Sequence, residues 1–318
     1  MEACTLIERA QRAIVEWIER EYDKSSAHAS FFETLQQIVT WPHNPAQPPH
    51  PLQYLPALTC WAAHGDPQQT VPLIAAWQLL RRAAKLFDDV ADGDVTQPSS
   101  TANFGMGVLL LAQQLLQLEG SSSRVLAVHD ALAQHLLRAC AGQHSDLSYQ
   151  IALESPLNPD GWFAIAQAKS GEFAGWACWA GAHWASASVE VERALRRYGT
   201  CVGVLLQLAD DYCDVWGPQA SAASLSATAL PVGYGRYVAA PELGSLLKQM
   251  IENSAAAEAH LRDVQHLLEQ QGAKCYMHVI ADQLQAEARQ VLAEVDLHPA
   301  ARRELERLTY VIWYGPKG

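Results

Sequence analysis

Two short acidic runs carry residue types that could do chemistry. From Lys85 to Val95 the chain reads KLFDDVADGDV, and from Leu206 to Gly217 it reads LQLADDYCDVWG. Each contains Asp-Asp-x-x-Asp: Asp88, Asp89 and Asp92 in the first, Asp210, Asp211 and Asp214 in the second. On a helix, positions i and i+4 project from nearly the same face, so Asp88 stacks with Asp92 and Asp210 with Asp214. Two like charges ~4 Å apart repel by ~4 kcal/mol at a surface-like dielectric. One such run on its own is a solvated acidic helix end. Two copies, both read in the same direction and both following apolar stretches (AWQLL and VGVLLQLA), point to carboxylates that cations fill. If the two helices face each other, six carboxylates converge on one cleft. Ligation by oxygen alone, with no His or Cys pattern beside it, suits Mg²⁺ or Mn²⁺, and Mg²⁺ in such sites bridges carboxylates to substrate phosphates.

The elements that must position these runs read as helices almost throughout. Leu, Ala, Gln and Glu dominate, and apolar residues recur at three-to-four spacing. The periodicity predicts helices over LIERAQRAIVEWIEREY, HASFFETLQQIVTW and TVPLIAAWQLLRRAAKLFDDVAD, the last carrying the first acidic run at its C-terminal end. It predicts further helices over MGVLLLAQQLLQLEG and the long stretch from Arg124 to Glu154. One unbroken helix is expected over WFAIAQAKSGEFAGWACWAGAHWASA, and another over VERALRRYGTCVGVLLQLADDYCDVWG. Residues 41–57 are Pro-rich and read as a loop, residues 217–235 as a flexible loop, and the tail as helix again. No period-two pattern is long enough for a sheet, and no stretch has linker composition. The expectation is an all-α chain forming a single domain over residues 1–318.

Composition narrows the function. The 318 residues carry a formal net charge of −12, which argues against a nucleic-acid partner. It leaves room for an anionic small molecule, because bound metal ions invert the sign of a local site. No apolar run reaches membrane-spanning length, and the charged, amphipathic N-terminus lacks the pattern of a secretory signal. The seven cysteines include no Cys-x-x-Cys pair and read as small core residues in a reducing compartment. A soluble cytoplasmic protein without stable membrane insertion is expected.

From about Pro51 to Pro231 the chain resembles the trans-prenyltransferases, the polyprenyl diphosphate synthases of the isoprenoid synthase fold. The first acidic run is similar to that family's first aspartate-rich motif. YGTCVGVLLQLADDYCD is similar to the second, including Gly199, Gly203 and Gln207. AGQHSDL, from Ala141 to Leu147, resembles the family's Gly-Gln-x-x-Asp-Leu helix. AKSGEF, from Ala168 to Phe173, resembles its Lys-Thr-x-x-Leu segment with Ser170 in place of Thr. The resemblance implies a helical bundle around a central cavity, assembled as a homodimer. It also implies Mg²⁺ (on the order of three ions with the diphosphate, Mn²⁺ as a substitute) and an allylic prenyl diphosphate as substrate. Asp88, Asp92 and Asp210 would hold the metal most directly, and Asp89, Asp211 and Asp214 would assist. Lys169 would grip the diphosphate and Gln207 would line the cleft beside it. The metals would neutralise the leaving group as an allylic carbocation forms.

The same resemblance implies a pocket for the hydrocarbon tail along the turns before the first motif. Ala83 and Ala84 leave depth there, Leu80 follows, and Trp77 stands as a floor that suits a farnesyl or geranylgeranyl tail. Phe173 and Trp176, with Trp179 and Trp184, could form an aromatic wall that favours a cation, although ordinary core packing explains the same spacing.

Departures from the family shape the functional expectation. Leu52 and Leu55 stand where elongating members carry a Lys and an Arg that bind isopentenyl diphosphate. Gln97-Pro98 replaces an Arg pair, and SLSATALP lacks a Lys. Arg81, Arg82 and Lys85 could replace part of that charge or pair with nearby aspartates. The expectation is therefore ionisation of one prenyl diphosphate, then cyclisation or transfer to an acceptor other than isopentenyl diphosphate. The alternatives are an ordinary chain-elongating synthase and a non-catalytic regulatory subunit.

Overall fold

In a computed structural model, the described residues are 2–21, 28–40, 48–117, 122–151, 157–222, 225–226, 228–239, 245–246 and 254–315. They form helices and connecting turns, with no strand among them. In chain order these are α1 (Ala3–Glu21), α2 (Ala29–Val39), α3 (Leu55–Ala62), α4 (Val71–Ala91), α5 (Pro98–Gln117), α6 (Ser123–Ile151) and α7 (Pro159–Ala166). They continue with α8 (Glu172–Trp184), α9 (Val189–Trp216), α10 (Leu230–Ala239), α11 (Ser254–Gln270), α12 (Ala273–Ala293) and α13 (Pro299–Tyr314). None of these helices is long and apolar enough to cross a membrane.

The chain groups into two compact units. One comprises Met1–Ala133, Ala177–Leu195 and Val295–Leu305, the other Gln134–Trp176, Arg196–Glu294 and Glu306–Gly318. Each draws on separated stretches, so no single cut in the sequence divides them.

In the first unit α4 is the central element. A short turn, Pro67–Thr70, leads into it, with the Asp66 side chain accepting from the Gln68 backbone N–H at 2.9 Å. Pro72 then occupies an early position where its missing N–H costs nothing. From Leu73 to Leu80 every residue is buried, and beyond Ala83 the helix emerges into solvent. Gly93, at φ 79°, ends it. The Asp94 N–H bonds back to the Asp89 carbonyl at 2.9 Å and the Gly93 N–H to that of Val90 at 3.4 Å, a Schellman stop. The glycine of DDVADGD thus sets where the helix finishes, one residue after Asp92.

Three expected boundaries shift. Pro51–Tyr54 is a turn of 3₁₀ helix and α3 already begins at Leu55, so the end of the 41–57 loop is ordered; residues 41–47 lie outside the described residues. Pro98 starts α5, ahead of the helix expected from Met106, because Pro is well placed in a first helical turn. Leu230–Ala239 is helix α10, which begins inside the stretch 217–235 expected to be a flexible loop. Its Val232, with Ala229 just before it, packs with Val215, Val264 and Leu268 in the core of the second unit.

Leu52 and Leu55, which stand where the resemblance implies a Lys and an Arg, are core residues at 6% and 0% exposure. The Leu52 carbonyl accepts a 2.6 Å hydrogen bond from the Trp77 indole, which ties the 3₁₀ turn to α4.

Candidate active site

Asp88, Asp89 and Asp92 occupy the last turn and C-cap of α4, which has no basic residue in that turn. Asp210, Asp211 and Asp214 occupy the last two turns of α9, again with no basic residue in the last turn. Carboxylates at a helix C-terminus oppose the macrodipole by about 0.3–1 kcal/mol each. Neither helix gains stability from them, which fits a cation-binding purpose. Asp88 and Asp89 are half-buried, while Asp92 and Asp210 are exposed. Lys85 bonds to Asp89 at 2.8 Å one turn earlier, and that hydrogen bond holds its ammonium above the ordinary value. Arg81 lies over the Trp77 ring at 5.9 Å. Trp77 and Leu80 are both buried, whereas Ala84 faces outward and is exposed.

The expected helix over residues 162–187 is interrupted where the chemistry sits. Gln167–Gly171 is a π-helical turn between α7 and α8. Such turns widen a helix by one residue and gather at functional sites. This one carries Lys169 and Ser170. Lys169 Nζ reaches Asp146 Oδ2 of α6 at 3.3 Å, and Ser170 Oγ donates to Gln207 Oε1 of α9 at 3.0 Å. Two glycines allow the approach. A Cβ on Gly142 of α6 would stand 2.5 Å from the Lys169 backbone nitrogen, and one on Gly203 of α9 would run into the Ser170 carbonyl. Glu172, just past the turn, anchors it by accepting from Arg138 and Arg196, both at 3.3 Å. Three segments of the resemblance, AGQHSDL, AKSGEF and YGTCVGVLLQ, therefore meet at one backbone crossing.

Asp211 differs in setting from the exposed Asp210 beside it. Its side chain turns into the second unit and is 4% exposed. Oδ2 accepts from the Trp162 indole at 2.8 Å and the Leu230 backbone N–H at 2.7 Å, and Oδ1 accepts from Gln207 Nε2 at 3.0 Å. Burial pushes this carboxyl up to about 7, against the pull of those three donors. The local spacing of Asp-Asp-x-x-Asp does not distinguish Asp211 from its neighbours; Trp162 and Leu230 lie too far off in sequence to signal it.

The tryptophans of α8 have separate engagements. Trp176 is core, Trp179 donates to Glu192 at 3.2 Å and stacks on His183, and Trp184 donates to the Gln69 carbonyl at 2.9 Å. Phe173, at the start of α8, is half-buried.

Among the described residues, no three His, Cys, Asp or Glu side chains enclose a metal position by themselves. The donor set still fits Mg²⁺, which takes one or two carboxylates and fills its octahedron from phosphate and water.

The polyprenyl synthetase family model matches residues 53–267 of the 318. The chain belongs to the polyprenyl synthetase family. It is 30% identical over 177 residues to a geranylgeranyl diphosphate synthase of Mycobacterium tuberculosis, covering 52% of this chain and 49% of that protein. It is 26% identical over 172 residues to a short chain isoprenyl diphosphate synthase of Methanothermobacter thermautotrophicus, covering 51% and 52%. The matched stretch thus spans about half the length of these curated relatives. The fold matches that of a geranylgeranyl pyrophosphate synthase from Corynebacterium glutamicum, complexed with isoprenyl diphosphate and magnesium. The TM-score is 0.82 at 17% identity, over 99% of this chain and 100% of that one. The family is one of prenyltransferases, and these relatives are all named as diphosphate or pyrophosphate synthases. Those names overturn the expectation of cyclisation or of transfer to an unusual acceptor, which rests on Leu52, Leu55, Gln97-Pro98 and the missing Lys in SLSATALP. Leu52 and Leu55 are weak signals on their own, because both are buried in the core and the Leu52 carbonyl is tied to the Trp77 indole.

Proposed function

We propose that this polyprenyl synthetase is a Mg²⁺-dependent, chain-elongating enzyme that joins an allylic prenyl diphosphate to isopentenyl diphosphate. The observation that carries the reading is the pair of Asp-Asp-x-x-Asp helix ends together with the π turn that presents Lys169. The names of the relatives choose elongation over other fates of the same diphosphate. Asp88, Asp92 and Asp210 hold Mg²⁺, with Asp89 and Asp214 assisting. Bound Mg²⁺ supplies charge neutralisation of the leaving pyrophosphate. Lys169 exchanges its Asp146 partner for diphosphate oxygens, and Gln207 donates beside it. The allylic C–O bond breaks with its electron pair leaving on pyrophosphate. The double bond of isopentenyl diphosphate closes the new C–C bond, and the proton then lost goes to the departing pyrophosphate. Arg81, Arg82 and Lys85 supply part of the positive charge that Leu52 and Leu55 do not. Trp77 and Leu80 limit the tail, which fits a farnesyl or geranylgeranyl product.

The enzyme works in the cytoplasm as a homodimer on this reading. Met106 and Leu110, one turn apart on α5 and 48% and 52% exposed, offer apolar surface for the contact.

Lys169 gives a direct test of the diphosphate grip. Lys169→Gln retains a donor for Asp146 and removes the charge. The expected result is a ten- to hundredfold rise in KM for the allylic diphosphate, a charge-assisted hydrogen bond being worth about 1.5–3 kcal/mol, with little change in melting temperature. An unchanged KM in steady-state pyrophosphate release would remove Lys169 from the site.

A further inference from the structure

We infer that Asp211 is a positioning residue that sets which way the Gln207 amide faces, and that it does not ligate metal. The inference rests on the diphosphate reading above. Asp211 accepts at both oxygens, from the Trp162 indole and the Leu230 backbone N–H at Oδ2 and from Gln207 Nε2 at Oδ1. Asp211 Oδ1 therefore faces the amino group of Gln207, at 3.0 Å, while Ser170 Oγ donates to the amide oxygen from the other side, also at 3.0 Å. With both ends fixed, the remaining capacity on the nitrogen is one N–H. Half-buried Gln207 can offer that hydrogen to an anionic oxygen; a reversed amide would offer a lone pair in the same place. Asp211 is itself held by the Trp162 indole and by Leu230, the first residue of α10. Its orientation is thus set by two elements outside the aspartate motif. Both oxygens are engaged and the side chain is buried, while Asp210 beside it is exposed.

Asp211→Asn discriminates between the two roles. The Asn oxygen must keep the two donors Trp162 and Leu230, so its NH₂ faces Gln207. The Gln207 amide then turns over to accept, and the Ser170 hydroxyl accepts in turn. Every buried bond survives, and the N–H offered to the ligand is lost. The probe is inorganic pyrophosphate with Mg²⁺, followed by calorimetry on the full-length protein, alongside KM and kcat for the allylic diphosphate. Asp211→Asn is expected to weaken pyrophosphate at least tenfold and to raise KM with kcat within about threefold, as loss of uniform binding does. The Mg²⁺ concentration at half-saturation is expected to stay within twofold. Gln207→Leu is expected to match it, and adding Asp211→Asn to Gln207→Leu should change nothing further. Additive effects in that cycle, or a tenfold higher Mg²⁺ requirement in Asp211→Asn, would make Asp211 a metal ligand and overturn the inference. Should Asp211→Asn not fold, the double variant Asp211→Asn, Gln207→Glu keeps each donor facing an acceptor while offering no N–H. Wild-type pyrophosphate affinity in that variant would equally overturn it. Failure of the wild-type protein to bind pyrophosphate with Mg²⁺ would instead sink the diphosphate reading, and the inference with it.

Discussion

Asp88→Asn and Asp92→Asn are each expected to reduce turnover by at least about a thousandfold while leaving the fold intact or firmer. The loss corresponds to about 4 kcal/mol of transition-state stabilisation, the scale on which a bound cation acts on a developing pyrophosphate charge. The stability change has the opposite sign for a separate reason. Asp88, Asp89 and Asp92 crowd the C-terminal end of α4, where the macrodipole is negative and like charges repel. Neutralising one relieves about 0.5 kcal/mol of that repulsion. Thermal melts run beside pyrophosphate-release assays would show the two moving apart. Activity and melting temperature falling together would mark these aspartates as structural.

Gly203→Ala is expected to be the most damaging single-methyl change near the site. The new Cβ would collide with the Ser170 carbonyl and come within 2.8 Å of Gly171 Cα. Both obstacles are backbone, so no rotamer relieves them. Overpacking of this kind costs about 3 kcal/mol or more. A melting temperature lower by about 5–10 °C is the expected consequence, given the usual scaling for larger domains. Because α9 would have to retreat from the π turn, KM for the allylic diphosphate should rise as well. Gly93→Ala, at φ 79° with open space around it, makes a useful contrast, since its penalty is conformational and lies at the end of α4. A melting temperature unchanged in Gly203→Ala would show that the α9 crossing is looser than the geometry implies.

Much of this is legible in the sequence because it is local. The helical period of α4 and the glycine that stops it both lie within a few residues of Asp88 and Asp92. The order of the four motifs requires nothing beyond reading along the chain. What escapes depends on partners distant in sequence. The run from Trp162 to Ala187 keeps its apolar spacing through the π turn, so a one-residue widening at Lys169 leaves no trace in the pattern. Asp211 looks like Asp210 until Trp162 and Leu230 close on it. Leu52 and Leu55 stand out in the sequence for the charges they lack, whereas both are buried core residues and the Leu52 carbonyl is tied to Trp77. Weighing them by charge alone leads to the wrong fate for the carbocation. The spacing of the tryptophans likewise gives no sign of the partners that Trp179 and Trp184 take, Glu192 and the Gln69 carbonyl.

Elongation is tested most directly by label transfer. Purified protein is incubated with Mg²⁺, unlabelled farnesyl diphosphate and carbon-14 isopentenyl diphosphate, and the products are separated by chain length after phosphatase treatment. Label in a prenyl alcohol one isoprene unit longer, absent when either substrate or Mg²⁺ is withheld, is the expected result. Consumption of farnesyl diphosphate to a hydrocarbon or alcohol, with all label remaining in isopentenyl diphosphate, would contradict it.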